Sequence, residues 1–242
     1  WKYHLLNRTD YHGPKFSLGE SVIGKKVQWA RYNNRHELIY KKKGFKNRHR
    51  FWWQNRINYN GLDPRGWERK DQTEYALESL LPLKNNLQLM IEGDLHSSKV
   101  SSEFNRITNR TLNGFNSGLG IKGQNAKNLQ WDSRFIYYRD RTAINQDTQE
   151  FVDAYGLKIN WIHFIGKDGR LEGNMEYYIA NGFPEMPPEA LNGIADKRTL
   201  RANIMVSIFL GRTLSVNATL LYLDDIRYNN FIKSRGELRA HF

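Results

Sequence analysis

Residues 198–223 decide the fold class, and they read RTLRANIMVSIFL, then GRT, then LSVNATLLYL. In the first run every second residue from Leu200 to Leu210 is aliphatic, and the positions between them include Arg201 and Asn203. The second run repeats the pattern from Leu214 onward. Alternation with a period of two is typical of β-strands whose faces meet different surroundings. The stretch therefore predicts a β-hairpin that turns at 211–213.

The same alternation recurs through most of the chain, whereas apolar residues at helical spacing are scarce. It is visible in residues 48–60, 71–81, 87–96, 128–138, 155–161 and 171–179. This pattern predicts an all-β protein with about ten strands from residue 48 onward, each of roughly ten residues. Residues 21–41 predict two more strands, and residues 1–20 show no clear pattern.

The connections between these strands alternate in length. Short links are predicted near 82–86, 123–127, 166–170 and 211–213, and long ones near 61–70, 97–108, 140–150, 181–197 and 224–231. Antiparallel transmembrane β-barrels have this rhythm, with short periplasmic turns and longer extracellular loops. A membrane-spanning helix is excluded because the sequence has no run of about 20 apolar residues. We expect a barrel at 21–242, complete or the C-terminal part of a larger barrel or protein, preceded by an N-terminal segment at 1–20.

The last segment of the chain, IKSRGELRAHF at 232–242, resembles the C-terminal strand of bacterial outer-membrane β-barrel proteins. It finishes on an aromatic residue and places four residues on one face: Gly236, Leu238, Ala240 and Phe242. The resemblance implies an outer-membrane location and an assembly signal, formed by these four residues, that the barrel-assembly machinery reads. It also implies contact with outer-membrane lipid and lipopolysaccharide, and with other envelope proteins.

In such a barrel the aliphatic faces contact lipid and the polar faces line the interior, because hydrocarbon does not solvate charge. The predicted lumen residues are Arg56, Glu92, Asp94, Asp132, Arg134, Lys158, Glu172, Glu176, Arg201, Arg235, Glu237 and Arg239. Their mixed charges suit either a watery lumen or a filled, salt-bridged one. We therefore expect a non-enzymatic protein, either a porin for small polar or anionic solutes or the membrane scaffold of an envelope complex.

The charge balance raises a second hypothesis, a soluble basic β-protein that binds nucleic acid. The chain has 37 Lys and Arg against 25 Asp and Glu, a formal net charge of +12. Basic residues are densest at 41–50, close to Phe51, Trp52 and Trp53, as in a phosphate-binding patch with stacking aromatics. Because charge is the main evidence, and because the barrel interpretation puts Lys41 to Lys46 in a periplasmic turn, we expect no nucleic-acid partner.

A third hypothesis is an outer-membrane hydrolase. Glu92, Asp94 and His96 share a strand face, and an Asp-x-His pair can activate water; Asp224 and Asp225 are candidates for the further carboxylates needed. A polar ladder lining the lumen explains the same residues without catalysis.

We also expect no cofactor and no metal. Residues 118–123, GLGIKG, match a dinucleotide-binding glycine loop, but a strand follows them instead of the required helix. The chain has no cysteine, which excludes disulfides and thiolate metal sites, and its histidines lack ligand spacing.

Overall fold

A computed structural model describes residues 2–12, 17–20, 26–42, 45–59, 67–84, 86–102, 109–125, 128–144, 148–182, 190–195, 197–210 and 214–240. Within these ranges the chain is built from strands. They are β1 Lys2–His12, β2 Ser17–Glu20, β3 Lys26–Lys42, β4 Phe45–Tyr59, β5 Trp67–Pro82, β6 Leu87–Ser102, β7 Arg110–Asn125, β8 Leu129–Ile144, β9 Thr148–Ile165, β10 Gly169–Asn181, β11 Lys197–Leu210, β12 Leu214–Asp225 and β13 Phe231–Ala240. A short 3-10 segment, Ala190–Gly193, lies between β10 and β11.

The described strands form one antiparallel 13-stranded sheet. From β3 onward each strand pairs with the next in sequence, while β1 pairs with β3 along one edge and β2 adds to β3. β1 and β13 stand at the two ends of the described strand order. The described residues from Phe45 onward form ten strands, β4 to β13, as the alternation predicted.

The two faces of the sheet differ as the alternation requires. Phe135 is 54% exposed, whereas the next residue, Ile136, is 4% exposed on the opposite face. Large apolar side chains such as Leu95 and Leu119 are exposed on the outer face. The other face is concave, because Arg48 on β4 and Lys158 on β9 line one cavity.

Aromatic side chains mark two levels on the outer face. Trp131 and Trp161 lie opposite each other near the start of β8 and the end of β9. Tyr137 and Tyr155 lie opposite each other closer to the link between these two strands. Six residues of strand separate the two levels, about 20 Å. Barrels place aromatic girdles at both borders of an apolar band of about 25 Å, so these rings fit the borders of such a band.

The link between β8 and β9 differs from its prediction. A long link was expected near 140–150, but β8 continues to Ile144 and β9 begins at Thr148. Beyond Tyr137 the strict apolar pattern of the outer face ends, because Arg139 lies opposite Asp153 and Arg141 lies opposite Phe151. The apolar alternation therefore stops at the border of the apolar band, while the backbone ladder continues.

The N-terminal part also differs. Residues 21–41 contain one described strand, β3, which begins at Lys26, where two strands were predicted. No strand was predicted at Lys2–His12, but these residues form β1, all of which pairs with β3. Among the described residues no helix is long and apolar enough to span a membrane.

The most buried region lies on the concave face of β7 to β10. Leu112, Ile136, Val152 and Tyr178 pack there with residues of the segment that follows β10. The core thus lies at the end of the interior where residues 190–195 pack.

Candidate functional site

The concave face brings the predicted lumen residues together. Glu92, Asp94, Arg134 and Lys158 line one cavity of about 200 Å³, and Arg235, Glu237 and Arg239 line another on the same side of the sheet with Met205. The remaining described members have ion-pair partners on this face: Asp132, Glu172, Glu176 and Arg201. Arg56 lies in β4 opposite Arg31 and Lys70, and its side chain is outside the described residues. Their role as lumen lining stays a prediction.

One ion-pair network crosses three strands. The Arg134 guanidinium on β8 contacts Glu92 Oε2 on β6 at 2.8 Å through Nη1, and its Nε donates to Asp132 Oδ1 at 2.8 Å. Asn160 on β9 donates to the same Asp132 oxygen at 2.8 Å. Because Glu92 and Arg134 are two strands apart, their side chains meet over β7.

Glycines of β7 make room for this contact. A Cβ added at Gly118 would lie 2.6 Å from Glu92 Cγ, and one at Gly120 would lie 2.6 Å from Arg134 Cγ and 2.4 Å from the Ser133 carbonyl oxygen. These glycines belong to the GLGIKG motif, which lies inside β7. The motif is therefore a strand with a small-residue inner face, and no helix follows it to hold a phosphate.

A second network joins β9, β10 and β11. Lys158 Nζ lies 2.6 Å from Glu176 Oε1, and Arg201 Nη1 lies 4.0 Å from the other oxygen of Glu176. Glu176 therefore sits between two cations on the concave face.

A third network joins β3, β4 and β5. Arg48 contacts Glu37 at 2.8 Å and Glu78 at 3.6 Å, and Lys46 contacts Glu78 at 3.0 Å. Arg50 pairs with Glu74. Three basic residues of the 41–50 run thus face glutamates on the concave side, while Phe51 points to the opposite face. Lys46, Arg48 and Arg50 therefore do not form an exposed basic patch, whereas Lys41 and Lys42 are exposed.

A histidine links two carboxylates near the loop end of the concave face. His96 Nδ1 lies 2.8 Å from Asp94 Oδ1, and His96 Nε2 lies 2.9 Å from Asp140 Oδ1. Asn116 donates to the other oxygen of Asp94. Within the described ranges, no three His, Asp or Glu side chains converge as a metal site would require.

Segment 190–195 folds onto this cluster. The Leu191 amide donates to Asp140 Oδ2 at 2.6 Å, and the Ala195 amide donates to Thr199 Oγ1 at 3.0 Å. Arg201 and Arg227 both donate to the Gly193 carbonyl, at 2.6 and 2.9 Å. Leu191 and Ile194 are almost fully buried. The segment is thus anchored from β8, from β11 and from the link after β12.

The sequence pattern did not predict a functional position for this segment, for Asp140 or for Glu37. A signal existed, because ALNGIA at 190–195 is an apolar stretch inside a long link. The hydrolase hypothesis named Asp224 and Asp225 instead of Asp140. The structure pairs Asp224 with Arg198 at 3.4 Å and Asp225 with Arg227 at 2.8 Å.

Comparison with known proteins gives matches of structure. No protein-family model matches the sequence, and no curated protein matches it. CdiB from Escherichia coli superimposes with a TM-score of 0.56 at 10% identity, over 98% of this chain and 55% of CdiB. The NanC porin superimposes with a TM-score of 0.46 at 10% identity, over 88% and 93% of the two chains. The translocator domain of the autotransporter NalP from Neisseria meningitidis gives 0.47 at 12% identity, over 90% and 83%.

The chain has the fold of bacterial outer-membrane β-barrels. The superposition on CdiB and the division into an apolar outer face and a charged concave face agree on this point. The predicted fold class and the predicted location in the bacterial outer membrane are confirmed.

Proposed function

We propose that this barrel is a passage for small polar solutes across the outer membrane, narrowed from within by segment 190–195. The observation that carries the proposal is the concave face itself, where side chains of β3 to β11 form ion-pair networks beside the apolar cluster of β7 to β10. Charged side chains that line a barrel interior are typical of water-filled transport barrels, and here they lie outside the apolar cluster that packs against segment 190–195.

We expect a slight preference for anions, because at least one lumen cation has no carboxylate partner in the ion-pair networks. Within the described part of β13, Arg235 has no ion-pair partner, while Glu237 is already held by Arg239 at 2.8 Å. The preference is small because most other lumen cations face carboxylates.

A scaffold of an envelope complex is the second candidate function. The observation that favours it is segment 190–195, which fills part of the interior and is held by four hydrogen bonds. A barrel closed by this segment would carry no solute.

We propose a non-enzymatic role in either case. Both ring nitrogens of His96 are engaged by carboxylates, and Asp140 also accepts the Leu191 amide. A general base needs a free nitrogen facing substrate, so this arrangement supports an anchoring role for His96.

Planar-bilayer recording tests the proposal. We expect stepwise conductance with a reversal potential of weak anion preference in a KCl gradient, and a larger conductance for Asp140→Ala because the anchor of Leu191 is removed. Asp168→Ala, in the exposed turn at 166–168, is the matched control and should behave as the parent. Absence of conductance in both the parent and Asp140→Ala favours the scaffold, and cation preference contradicts the anion proposal.

We also propose that the barrel-assembly machinery reads the outer face of β13. Gly236, Leu238 and Ala240 are exposed there, and Leu238 is 67% exposed. Phe242, the fourth residue of the predicted signal, lies outside the described residues. Leu238→Asn should lower the amount of heat-modifiable protein in outer-membrane fractions, whereas Arg239→Asn on the other face should not.

A further inference from the structure

Two arginines on the outer face of β8 share one aromatic ring. The guanidinium carbons of Arg139 and Arg141 lie 4.9 and 5.3 Å from the centroid of Phe151 on β9. All three side chains are exposed. We call Arg139, Arg141 and Phe151 the rim cluster.

The rim cluster carries a net positive charge, because Asp153 balances only one of its two arginines. Arg139 Nε lies 3.6 Å from Asp153, whose carboxylate also accepts the Tyr137 hydroxyl at 2.6 Å. Arg141 has no ion-pair partner within the described part of the chain. Lys99 is exposed on the same face, two strands away, a distance on the order of 10 Å.

The position of the rim cluster determines what it meets. It follows directly after Tyr137 and Tyr155, the aromatic level that ends the apolar outer face, and it lies at the end of the barrel that carries the link 182–196. In outer-membrane barrels the longer loops are extracellular. The rim cluster therefore faces the headgroup layer of the outer leaflet.

A guanidinium group that lies over a ring does not use its N–H donors on that ring, and of the two arginines only Arg139 has an ion pair, through Nε with Asp153. Arginine binds phosphate through two parallel N–H donors, and the phenyl ring restricts the guanidinium without using those donors. Two such groups side by side, with a lysine about 10 Å away, match a headgroup that bears more than one phosphate.

We propose that the rim cluster binds the phosphorylated sugar headgroup of lipopolysaccharide. The interaction goes beyond passage of solutes, because it concerns the outer surface of the barrel and a lipid partner.

Thermal unfolding of the full chain in detergent, with added diphosphoryl lipid A as the probe, tests this proposal. The probe should raise the unfolding temperature of the parent, and Arg139→Ala combined with Arg141→Ala should weaken its apparent affinity by about tenfold or more. Lys167→Ala, in the exposed turn at the opposite end, should keep the parent affinity.

Two further measurements separate specific binding of lipid A from a folding defect and from a general effect of anionic lipid. Arg141→Ala by itself removes no ion pair, so it should fold as the parent and still bind the probe more weakly. Phosphatidylglycerol at the same concentration should stabilise the parent less than lipid A does. Equal stabilisation by both lipids, unchanged affinity of the double variant, or no stabilisation of the parent would each overturn the proposal.

Discussion

Gly120 shows how closely the inner face of β7 is approached by its neighbours. An added Cβ would meet the Ser133 carbonyl oxygen and the Arg134 backbone, neither of which can move without shifting β8. We expect Gly120→Ala to lower the stability of the refolded barrel by about 1–3 kcal/mol, as overpacking does. Thermal or denaturant unfolding in detergent measures this loss.

Gly236→Ala is the matched control for that substitution, because nothing lies within 4 Å of a Cβ added at Gly236. Unfolding of refolded protein bypasses cellular assembly, so the proposed role of Gly236 in assembly does not affect the comparison. Equal stability of the two variants would show that β8 does not approach Gly120 closely.

Asp225 organises the link that follows β12. It accepts hydrogen bonds from the Arg227 amide at 2.7 Å, the Tyr228 amide at 3.0 Å and the Arg227 guanidinium at 2.8 Å. Its neighbour Asp224 is a charged residue of the outer face, so this end of β12 lies beyond the apolar band. Burial by itself raises the pKa of Asp225, but the hydrogen bonds from Arg227 and the two amides outweigh it and lower the pKa.

A lowered pKa makes the contribution of Asp225 depend on pH. The stabilisation is complete above the ordinary aspartate pKa of about 4 and is lost as pH falls through the lower pKa of the folded state. Asp225→Asn should therefore unfold at a lower temperature than the parent at pH 7, and the difference should narrow below pH ~4. Melting curves across that range check this, and a constant difference would contradict it.

At the scale of elements, segment 190–195 is held inside the sheet by Asp140. The chain contains no cysteine, so a single introduced cysteine reports its own accessibility. Ile194→Cys should react slowly with a water-soluble maleimide, since Ile194 is 1% exposed, and much faster when Asp140→Ala is added. Asn192→Cys, at an exposed position, is the control and should react fast in both backgrounds. Slow labelling of Ile194→Cys in both backgrounds would show that Asp140 is not the anchor.

Strands β8 and β9 and segment 190–195 differ in how well the sequence predicts them. Alternation predicted β8 and β9 where their outer face is apolar, between Trp131 and Tyr137, because lipid demands a period of two there. It did not predict their outer halves, where Arg139 and Arg141 replace apolar residues and backbone pairing continues. Segment 190–195 has no period at all, since it is held by single contacts such as the one between Leu191 and Asp140.

In the candidate site, too, the sequence predicts some features and not others. The charged positions of the concave face could be predicted from the register of each strand, because their neighbours on the outer face are apolar. Their partners could not, because Glu92 and Arg134 are 42 residues apart and meet through the space that the β7 glycines leave. Pairing across strands depends on three-dimensional neighbours, which the sequence does not encode as a local pattern.

In the whole molecule, one face of the strands contacts lipid and the other lines a polar interior. A spin-label scan along residues 131–138, one cysteine at a time in the cysteine-free chain reconstituted in lipid, measures this directly. Labels replacing Trp131, Ser133, Phe135 and Tyr137 should collide readily with oxygen, and those replacing Asp132, Arg134 and Ile136 should not. We expect oxygen accessibility to alternate with a period of two, with maxima at the odd positions. Equal oxygen accessibility at odd and even positions, or maxima at the even ones, would show that the odd-numbered face of β8 does not contact lipid.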